Sequence, residues 1–553
     1  MARQSWRRMV GWLIPLLLLL IAAAARFYGL DWDGGIGAHP DERYLVGAAE
    51  RLCWPDRLNP LAADVAPDLA YGHLPLYLLA LARWVSGNLD GLLVGRGLAA
   101  LFDLGTAALT GLLGWQVYGR RVGLLAIAFV AVMVLHIQQA HFYTADVPLA
   151  FFTVGSLLFA ARWAERGRLL DAGLAGVWAG LALGSKFSAV LLALPLGAAC
   201  VLAPGSRRTR VWLGLWGGVG GGAVFALTNP FALLAWPSFW RNVSQQAAIV
   251  RGILDVPYTR QFHAAWPYLY PAAQQLKWGM GIPLGLVVLG GLIYAVVRAV
   301  QEPPRCAEWV LLAWVVPGVA FVGALYAKFP RYWLPFTPLL ALYAARWLVE
   351  QAWQRQWGRW VCGAVLAATA LHGVTFISLY RTPHPWLVAS QWFREHVAPG
   401  ASVAVEAWDH PLPLNAEAYG YRVEELAIFD EDGPEKWLAM ERVLREADYV
   451  VIASRRGYGT LARWSDRYPL TAGYYERLFT GQAGFAPVAC FGRYPRLGPV
   501  VLVDDPTTGL VFALPSLCQP AAPITLDLGR LDESFVVYDH PLVLVFERLV
   551  PQN

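Results

Sequence analysis

Ionisable side chains are scarce in this chain, so the few that flank its apolar runs are where chemistry is to be sought. His39-Pro40-Asp41-Glu42 sets two adjacent acids after the first apolar run. His141-Phe-Tyr-Thr-Ala-Asp146 carries a histidine and an acid between the third and fourth runs. Lys186 stands between the fifth and sixth, and Lys328, Arg331 and Tyr332 lie at the start of the tenth. A charge inside or beside a bilayer span is costly, and its default reading is functional. Acids and cations in this combination suit group transfer from a lipid-anchored phosphate, whose tail lies in the bilayer and whose phosphate lies at the interface. Lys186 and Arg331 would neutralise charge building on the leaving phosphate. A carboxylate would take the proton of an acceptor hydroxyl as it attacks a sugar carbon. One displacement of this kind inverts the anomeric centre. Crowding by Glu42 raises the basicity of Asp41 and nearby cations lower it; the sequence leaves that balance open.

Each of these residues also has a structural reading. Asp41 could cap the helix that Pro40-Asp41-Glu42 resembles the start of. Asp146, before Val147-Pro148, could be an N-cap with proline in the first turn. Lys186 could snorkel to the interface, and Arg331 could anchor there with Tyr332 and Trp333. Their shared side of the membrane, argued next, is what favours chemistry. Asp103 lies mid-span, seven residues from Arg96, and is read as a structural polar contact inside the bundle.

The elements that must position these residues are transmembrane helices. Of the 553 residues, 57% are hydrophobic and only 15% charged, against about 25% in soluble domains. The 26 Trp and 23 Tyr suit the headgroup layer, where one end of the ring is apolar and the other wet. The net charge of +5 comes from basic residues scattered between apolar runs, with no stripe that would hold nucleic acid. Apolar runs fall at 9–28, 91–117, 121–139, 146–164, 171–185, 186–204, 211–234, 276–299, 308–327, 332–350 and 359–379, which predicts about eleven spans. The first run lacks a small-x-small cleavage site and is read as a retained anchor.

Arginines then mark alternate loops: Arg3, Arg7 and Arg8; Arg120 and Arg121; Arg162, Arg166 and Arg168; Arg207, Arg208 and Arg210; Arg298 and Arg305; Arg346, Arg355 and Arg359. Positive loops stay cytoplasmic. The expectation is a multi-pass protein of the cytoplasmic (inner) membrane, with its amino terminus inside and everything after about 380 outside. Residues 1–380 form the membrane module, with long outer loops at 29–90 and 235–275 that carry amphipathic, interface-lying stretches. All the candidate site residues then share the outer face.

Residues 381–553 change character. Strand-like runs at 402–406, 448–452 and 542–546, with a helical pattern from Glu435 to Ala447, predict an extracytoplasmic α/β domain. Glu533 to Pro541 is compatible with a turn between strands. The six cysteines have no close metal-ligand spacing. Cys200 and Cys362 fall in apolar runs, whereas Cys490 and Cys518 could pair if the tail is exported.

At these motifs the chain resembles the protein O-mannosyltransferase-like and aminoarabinose-transferase-like glycosyltransferases, polyprenyl-phosphate-sugar-dependent enzymes of the GT-C fold. His39-Pro40-Asp41-Glu42 is similar to their acidic first-loop motif, and His141 to Phe152 to their second-loop motif. Gly180-Leu-Ala-Leu-Gly-Ser-Lys186 is similar to their glycine-rich stretch ending in lysine, and Lys328 to Pro338 to their Arg-Tyr-x-x-Pro element. The resemblance runs over about 1–350, in order. It implies Asp41 as catalytic base, Glu42 as its support, and Asp146 as the second-loop acid that positions the acceptor or supports the first loop. Lys186 and Arg331-Tyr332 would stand near the lipid phosphate, with His39, His141 and Lys328 in the substrate-binding set. The donor would be a polyprenyl-phosphate sugar drawn from the membrane lipid; the acceptor, whether glycan, lipid or protein, stays open. No lectin-like β-trefoil follows, so a protein acceptor is not implied.

The resemblance implies no cofactor. Related oligosaccharide-transferring GT-C enzymes bind a divalent metal through their loop acids, and His39 and His141 beside the acids leave that alternative in view. The competing functions are thus a metal-dependent oligosaccharyltransferase or polymer ligase, and a transporter of lipid-linked sugars. A transporter would place its charges at mid-membrane between inverted repeats, not at one face.

Overall fold

The computed structural model describes residues 2–53, 56–301 and 305–549. The side chains before Trp12 are outside the described set, and with them the predicted inner-loop arginines Arg3, Arg7 and Arg8. The chain divides into two compact units.

The first unit comprises Met1–Leu30, His39–Arg251 and Trp266–Val374 and is helical. Every predicted apolar run falls on helix. Among the described residues six helices are long and apolar enough to cross a membrane, or seven if the bent pair Arg120–Val132 and Val134–Ala140 is one span. Five of them are Gly91–Tyr118, Asp146–Arg166, Arg207–Thr228, Ile282–Gln301 and Cys306–Ala324, and the sixth begins at Gln356. The chain is a multi-pass membrane protein.

The other predicted runs are shorter helices, and local breaks account for them. Helix Leu169–Ser185 stops where Lys186 turns extended (φ −154°, ψ 136°), and a 3-10 turn follows before helix Ala193–Leu202. Helix Thr337–Trp347 starts only after the turn Pro330–Trp333. Helices Leu169–Ser185 and Arg207–Thr228 pack backbone to backbone: a Cβ on Gly176 would lie 1.9 Å from the Gly217 carbonyl oxygen. Small residues permit such approach where lipid supplies no hydrophobic drive for association.

The segments predicted as outer loops contribute short amphipathic helices to this unit. Pro40–Arg51 and Leu74–Val85 come from the first long loop and Trp236–Val250 from the second. In the last, Phe239 and Ile249 are buried while Trp236 and Trp240 are exposed.

The second unit comprises Asp31–Ala38, Gly252–Ala265 and Thr375–Asn553, so it draws one short segment from each long loop as well as the tail. Its strands are β1 (Ser402–Glu406), β2 (Arg422–Leu426), β3 (Tyr449–Ile452), β4 (Phe485–Phe491), β5 (Arg496–Leu497), β6 (Val500–Val503), β7 (Ile524–Asp527) and β8 (Val543–Arg548). The main sheet has the order β2-β1-β3-β8-β4. Its first three strands are parallel, and β8 runs antiparallel to β3 and β4. Strands β5, β6 and β7 form a smaller sheet. Parallel strands buried on both faces read as unbroken apolar runs, which is why Val403 to Val405 and Val450 to Ile452 were visible in the sequence. Helix Pro434–Glu446 buries Met440 and Val443 in the core with Leu426, Ile452 and Phe546.

Glu533 to Val536 forms a single helical turn capped by Asp532, not a simple strand-to-strand turn. Cys490 and Cys518 are joined as a disulfide with Cα atoms 5.3 Å apart. At the carboxyl ends of β1 and β3 lies a buried ionic cluster. Arg456 pairs with Asp409 and with Glu533, and Tyr475 donates to Glu406 at 2.7 Å. Burial pushes the Glu406 carboxyl up to about 8, the Tyr475 hydrogen bond opposing it and Asp409 adding to it.

Candidate active site

Four segments of the first unit bring charge together. Asp41 lies in the first turn of helix Pro40–Arg51. The chain enters that helix through His39, whose Nδ1 accepts the Glu42 amide at 3.4 Å, while Pro40 fills the first helical position. The capping role weighed for Asp41 therefore belongs to His39, and the Asp41 carboxylate is left for other partners. Asp146 is itself the first residue of helix Asp146–Arg166, and the cap residue Ala145 offers no side-chain bond. Its carboxylate is not spent on capping either.

The cations face these two acids. Lys186 Nζ donates to Asp146 Oδ1 at 2.7 Å and lies 4.9 Å from the Tyr332 ring centroid and 5.6 Å from that of Tyr71. Arg331 Nη1 is 2.9 Å from Asp41 Oδ2, and its Nε is 3.9 Å from Asp146 Oδ2. The Asp41 contact meets the distance of an ion pair without the alignment of a hydrogen bond; its attraction is mainly coulombic. Tyr71 donates to Asp41 Oδ2 at 3.3 Å. Burial raises the Asp41 carboxyl, but Arg331, His39, Lys186 and the Tyr71 hydrogen bond outweigh it, and the group lies below its ordinary range. The balance left open by the sequence is thus struck by the cations. Tyr71 is pushed well above its ordinary value, first by burial and then by Asp41, so it stays a neutral donor.

Close backbone contact holds this arrangement. The Gly72 amide donates to the Ser185 carbonyl at 3.1 Å, and a Cβ on Gly72 would lie 1.9 Å from the Gly184 carbonyl oxygen. Glycine at 72 lets the loop bearing Tyr71 lie against the helix end bearing Lys186. Asn242 fixes helix Trp236–Val250 to the same loop, donating to the carbonyls of Pro67 and Leu69.

Beside the charges is a cavity of about 400 Å³. Lys186 forms its polar end with Asp146, Tyr71 and Tyr332, each of which meets the Lys186 ammonium. Most of the rest is apolar, including Leu149, Val190, Leu191, Val250, Phe321 and Phe336, with Ser188 and Gln246 among them. A mainly apolar cavity ending in a charged cluster matches an amphiphile with an anionic head.

The other expected site residues are placed differently. Glu42 is fully buried and accepts from Arg96 Nε at 3.0 Å, Arg96 Nη2 at 2.8 Å and the Tyr143 amide at 2.9 Å. Arg96 also donates to the Leu30 carbonyl at 2.8 Å. Glu42 thereby joins the Asp41 helix, the span Gly91–Tyr118 and the second-loop segment. The Arg96–Asp103 contact expected from their spacing is replaced by this pair, because Asp103 is taken by Arg26 and His136. His141 is buried with its ring nitrogens at 2.7 Å from the Ile137 carbonyl and 2.9 Å from that of Tyr28. Lys328 donates to the Tyr326 carbonyl at 3.0 Å, and burial lowers its ammonium. Neither histidine of the loop motifs nor Lys328 lines the cavity.

Two residues were missed by sequence reasoning. Tyr71 belongs to the amphipathic stretches of the first long loop, which read as interface-lying, and Arg96 was assigned the wrong partner. The cue for Arg96 was its place as the one basic residue inside the second apolar run.

The chain matches solved structures of one fold. The archaeal oligosaccharyltransferase AglB from Archaeoglobus fulgidus, in complex with an inhibitory peptide and a dolichol-phosphate, aligns at a TM-score of 0.51 and 14% identity. The match covers 85% of this chain and 72% of that one. The same oligosaccharyltransferase in the apo form gives 0.50 and 15%, covering 88% and 74%. ArnT from Cupriavidus metallidurans in the apo state gives 0.48 and 14%, covering 84% and 95%. No curated protein sequence matches the chain. The fold is therefore the GT-C fold of membrane glycosyltransferases. Within it, residues 73–236 match the Dolichyl-phosphate-mannose-protein mannosyltransferase family. The resemblance drawn from the four motifs is thus shown, and the matched segment contains Asp146 and Lys186.

A divalent metal, the alternative left in view by the loop acids, would have to draw on residues that are already engaged. Asp41 and Asp146 are each paired to a cation, both ring nitrogens of His141 meet backbone carbonyls, and Nδ1 of His39 accepts the Glu42 amide. Among the described residues no three His, Cys, Asp or Glu side chains are grouped as ligands.

Proposed function

We propose that the chain transfers a sugar from a polyprenyl-phosphate-linked donor to an acceptor hydroxyl, with inversion, at the outer face of the cytoplasmic membrane. The observation that carries the reading is the apolar cavity ending in Asp146, Lys186, Tyr71 and Tyr332, with the Arg331–Asp41 pair alongside. The isoprene units nearest the phosphate would occupy the cavity, with the rest of the polyprenyl tail in the bilayer. Lys186 and Arg331 would hold the phosphate and stabilise it as it leaves. Asp41 would take the acceptor proton, Asp146 would orient Lys186 and Arg331, and Glu42 would hold the Asp41 helix in place. The AglB structure contains a dolichol-phosphate, a ligand of the same chemistry.

The proposed topology keeps about eleven spans, counting the shorter apolar helices, with an inner amino terminus. Residues 1–380 would be the catalytic module and 381–553 an extracytoplasmic domain, where an oxidising environment suits the Cys490–Cys518 disulfide. The test is release of polyprenyl phosphate from labelled lipid-linked sugars by purified protein in detergent, where transport has no meaning. Asp41→Asn is expected to fold and to release none. Full activity in that variant removes Asp41 as the base, and activity lost to a chelator and restored by manganese favours the metal-dependent alternative.

A further inference from the structure

We propose that His136 and Thr337 are positioning residues, setting the spacing of Asp146 and Arg331 through a buried polar network; the inference rests on the lipid-phosphate reading above. Arg26, Asp103, His136 and Thr337 are all fully buried in the helical unit. Arg26 Nε meets Asp103 Oδ2 at 2.6 Å, and His136 Nδ1 meets Asp103 Oδ1 at 2.5 Å. His136 Nε2 is 2.9 Å from the Thr337 hydroxyl, which donates to the Leu334 carbonyl at 2.9 Å. An apolar replacement of such a network is often no less stable, so its presence calls for a role beyond stability.

Its connections give that role. Helix Arg120–Val132 breaks at Met133 (φ −70°, ψ 125°), and the chain bends by 59° into helix Val134–Ala140. The last carbonyls before a break lose their helical donors, and Arg26 supplies them, donating to Val130 at 2.9 Å and Ala131 at 2.9 Å. The short helix after the break carries His136 and leads directly into the segment ending at Asp146.

On the other side, the Leu334 amide donates to the Arg331 carbonyl at 3.0 Å, and the Leu334 carbonyl is held by Thr337. Hydrogen bonds therefore run from the turn bearing Arg331, through Thr337 and His136, to the helix feeding Asp146. The 3.9 Å approach of Arg331 to Asp146 closes that circuit at the site.

The hydroxyl of Thr337 is the link to cut, since valine keeps the branched shape and removes the hydrogen bonds. The assay is binding of undecaprenyl phosphate to the purified full chain in detergent, with the melting temperature of each variant. Thr337→Val is expected to weaken binding about tenfold, and Thr337→Ser to restore it to within about twofold of wild type. A folded Thr337→Val protein that binds as wild type overturns the inference, as does a fall in melting temperature with affinity unchanged. If Thr337→Val cannot be recovered folded, Thr337→Cys, which has the outline of the serine variant but only a weak hydrogen-bonding group, carries the same expectation and the same refutation. Wild-type protein that fails to bind the lipid overturns the lipid-phosphate reading and this inference with it, which the wild-type arm shows before any variant is compared.

Discussion

Asp41 and Glu42 are neighbours in sequence, yet their surroundings predict opposite consequences of losing the charge. Glu42 is fully buried with Arg96, and three donors converge on its two oxygens. In Glu42→Gln one of those oxygens becomes an NH₂ group facing a guanidinium, and Arg96 is left charged and buried. Removing one partner of such a pair costs about 3–5 kcal/mol, a large share of the roughly 5–15 kcal/mol that holds a domain folded. The Asp41 side chain is 26% exposed and its partner Arg331 13%, so water shares the load and Asp41→Asn costs about 1 kcal/mol or less. Thermal unfolding of each purified variant, followed by tryptophan fluorescence and size-exclusion, compares the two. Glu42→Gln should melt well below wild type and Asp41→Asn close to it. Adding Arg96→Met to Glu42→Gln should recover much of the loss, because the orphaned charge is gone. Equal stability of Glu42→Gln and wild type would refute the assignment of Glu42 to the scaffold.

Three other outcomes are expected. Arg331 lowers the Asp41 carboxyl in the donor-free protein, and a base acts only when unprotonated, so Arg331→Gln should move the acid limb of kcat/KM, which reports the free enzyme, upward by about 1–3 pH units; an unmoved limb of kcat/KM argues against Asp41 as the base. Glu406 is raised from its ordinary 4.5 to about 8, so the folded chain keeps a proton that the unfolded chain has lost. Its contribution to stability should therefore decline between about pH 4.5 and 8, by at most about 5 kcal/mol. Glu406→Gln should narrow the gap between melting temperatures at pH 5 and pH 8, and an unchanged gap contradicts the account. Cys53 is exposed on the first long loop, so a membrane-impermeant maleimide should label it on intact cells, while Cys490 and Cys518 react only after reduction. Protection of Cys53 until the membrane is opened would reverse the proposed orientation.

What the sequence made legible follows from what is local. Apolar runs marked the long helices of the membrane unit because lipid demands continuous hydrophobicity, whereas the short helices Pro40–Arg51, Leu74–Val85 and Trp236–Val250 lay in stretches read as loops. The strands β1, β3 and β8 were visible for a related reason, being buried in a sheet core. Span number was less legible, since the breaks at Met133, Lys186 and Pro330 to Trp333 change direction without interrupting hydrophobicity. Asp41, Asp146, Lys186, Arg331 and Tyr332 were brought together by their common side alone. Which acid met which cation was not legible. Arg96 is seven residues from Asp103 on one helix, and only the packing of other helices against it shows that Glu42 takes Arg96 while Arg26 and His136 take Asp103. Segments 31–38 and 252–265 read as parts of outer loops, and their membership of the second unit depends on distant contacts such as Gln261 with the Glu533 amide.

The proposed base poses a difficulty that the site geometry also answers. A carboxylate held below its ordinary range is a weak base, and Asp41 is so held by the cations that the donor phosphate would need. With no donor bound, Arg331 sits on Asp41, and Lys186 is shared between Asp146 and the rings of Tyr71 and Tyr332. An entering phosphodiester carries one charge, as each carboxylate does, and gains a second as the sugar departs, so its pull on both cations grows as transfer proceeds. As Arg331 turns to the phosphate, the factor that most strongly lowers Asp41 is withdrawn while its burial remains, and its proton affinity rises. Asp146 stays within reach of both cations and keeps them near the cavity mouth during the exchange. On this reading the ion pairs are a resting form that keeps the buried acids compensated. The donor phosphate converts Asp41 to a competent base at the moment an acceptor hydroxyl can be used, so donor binding precedes proton removal.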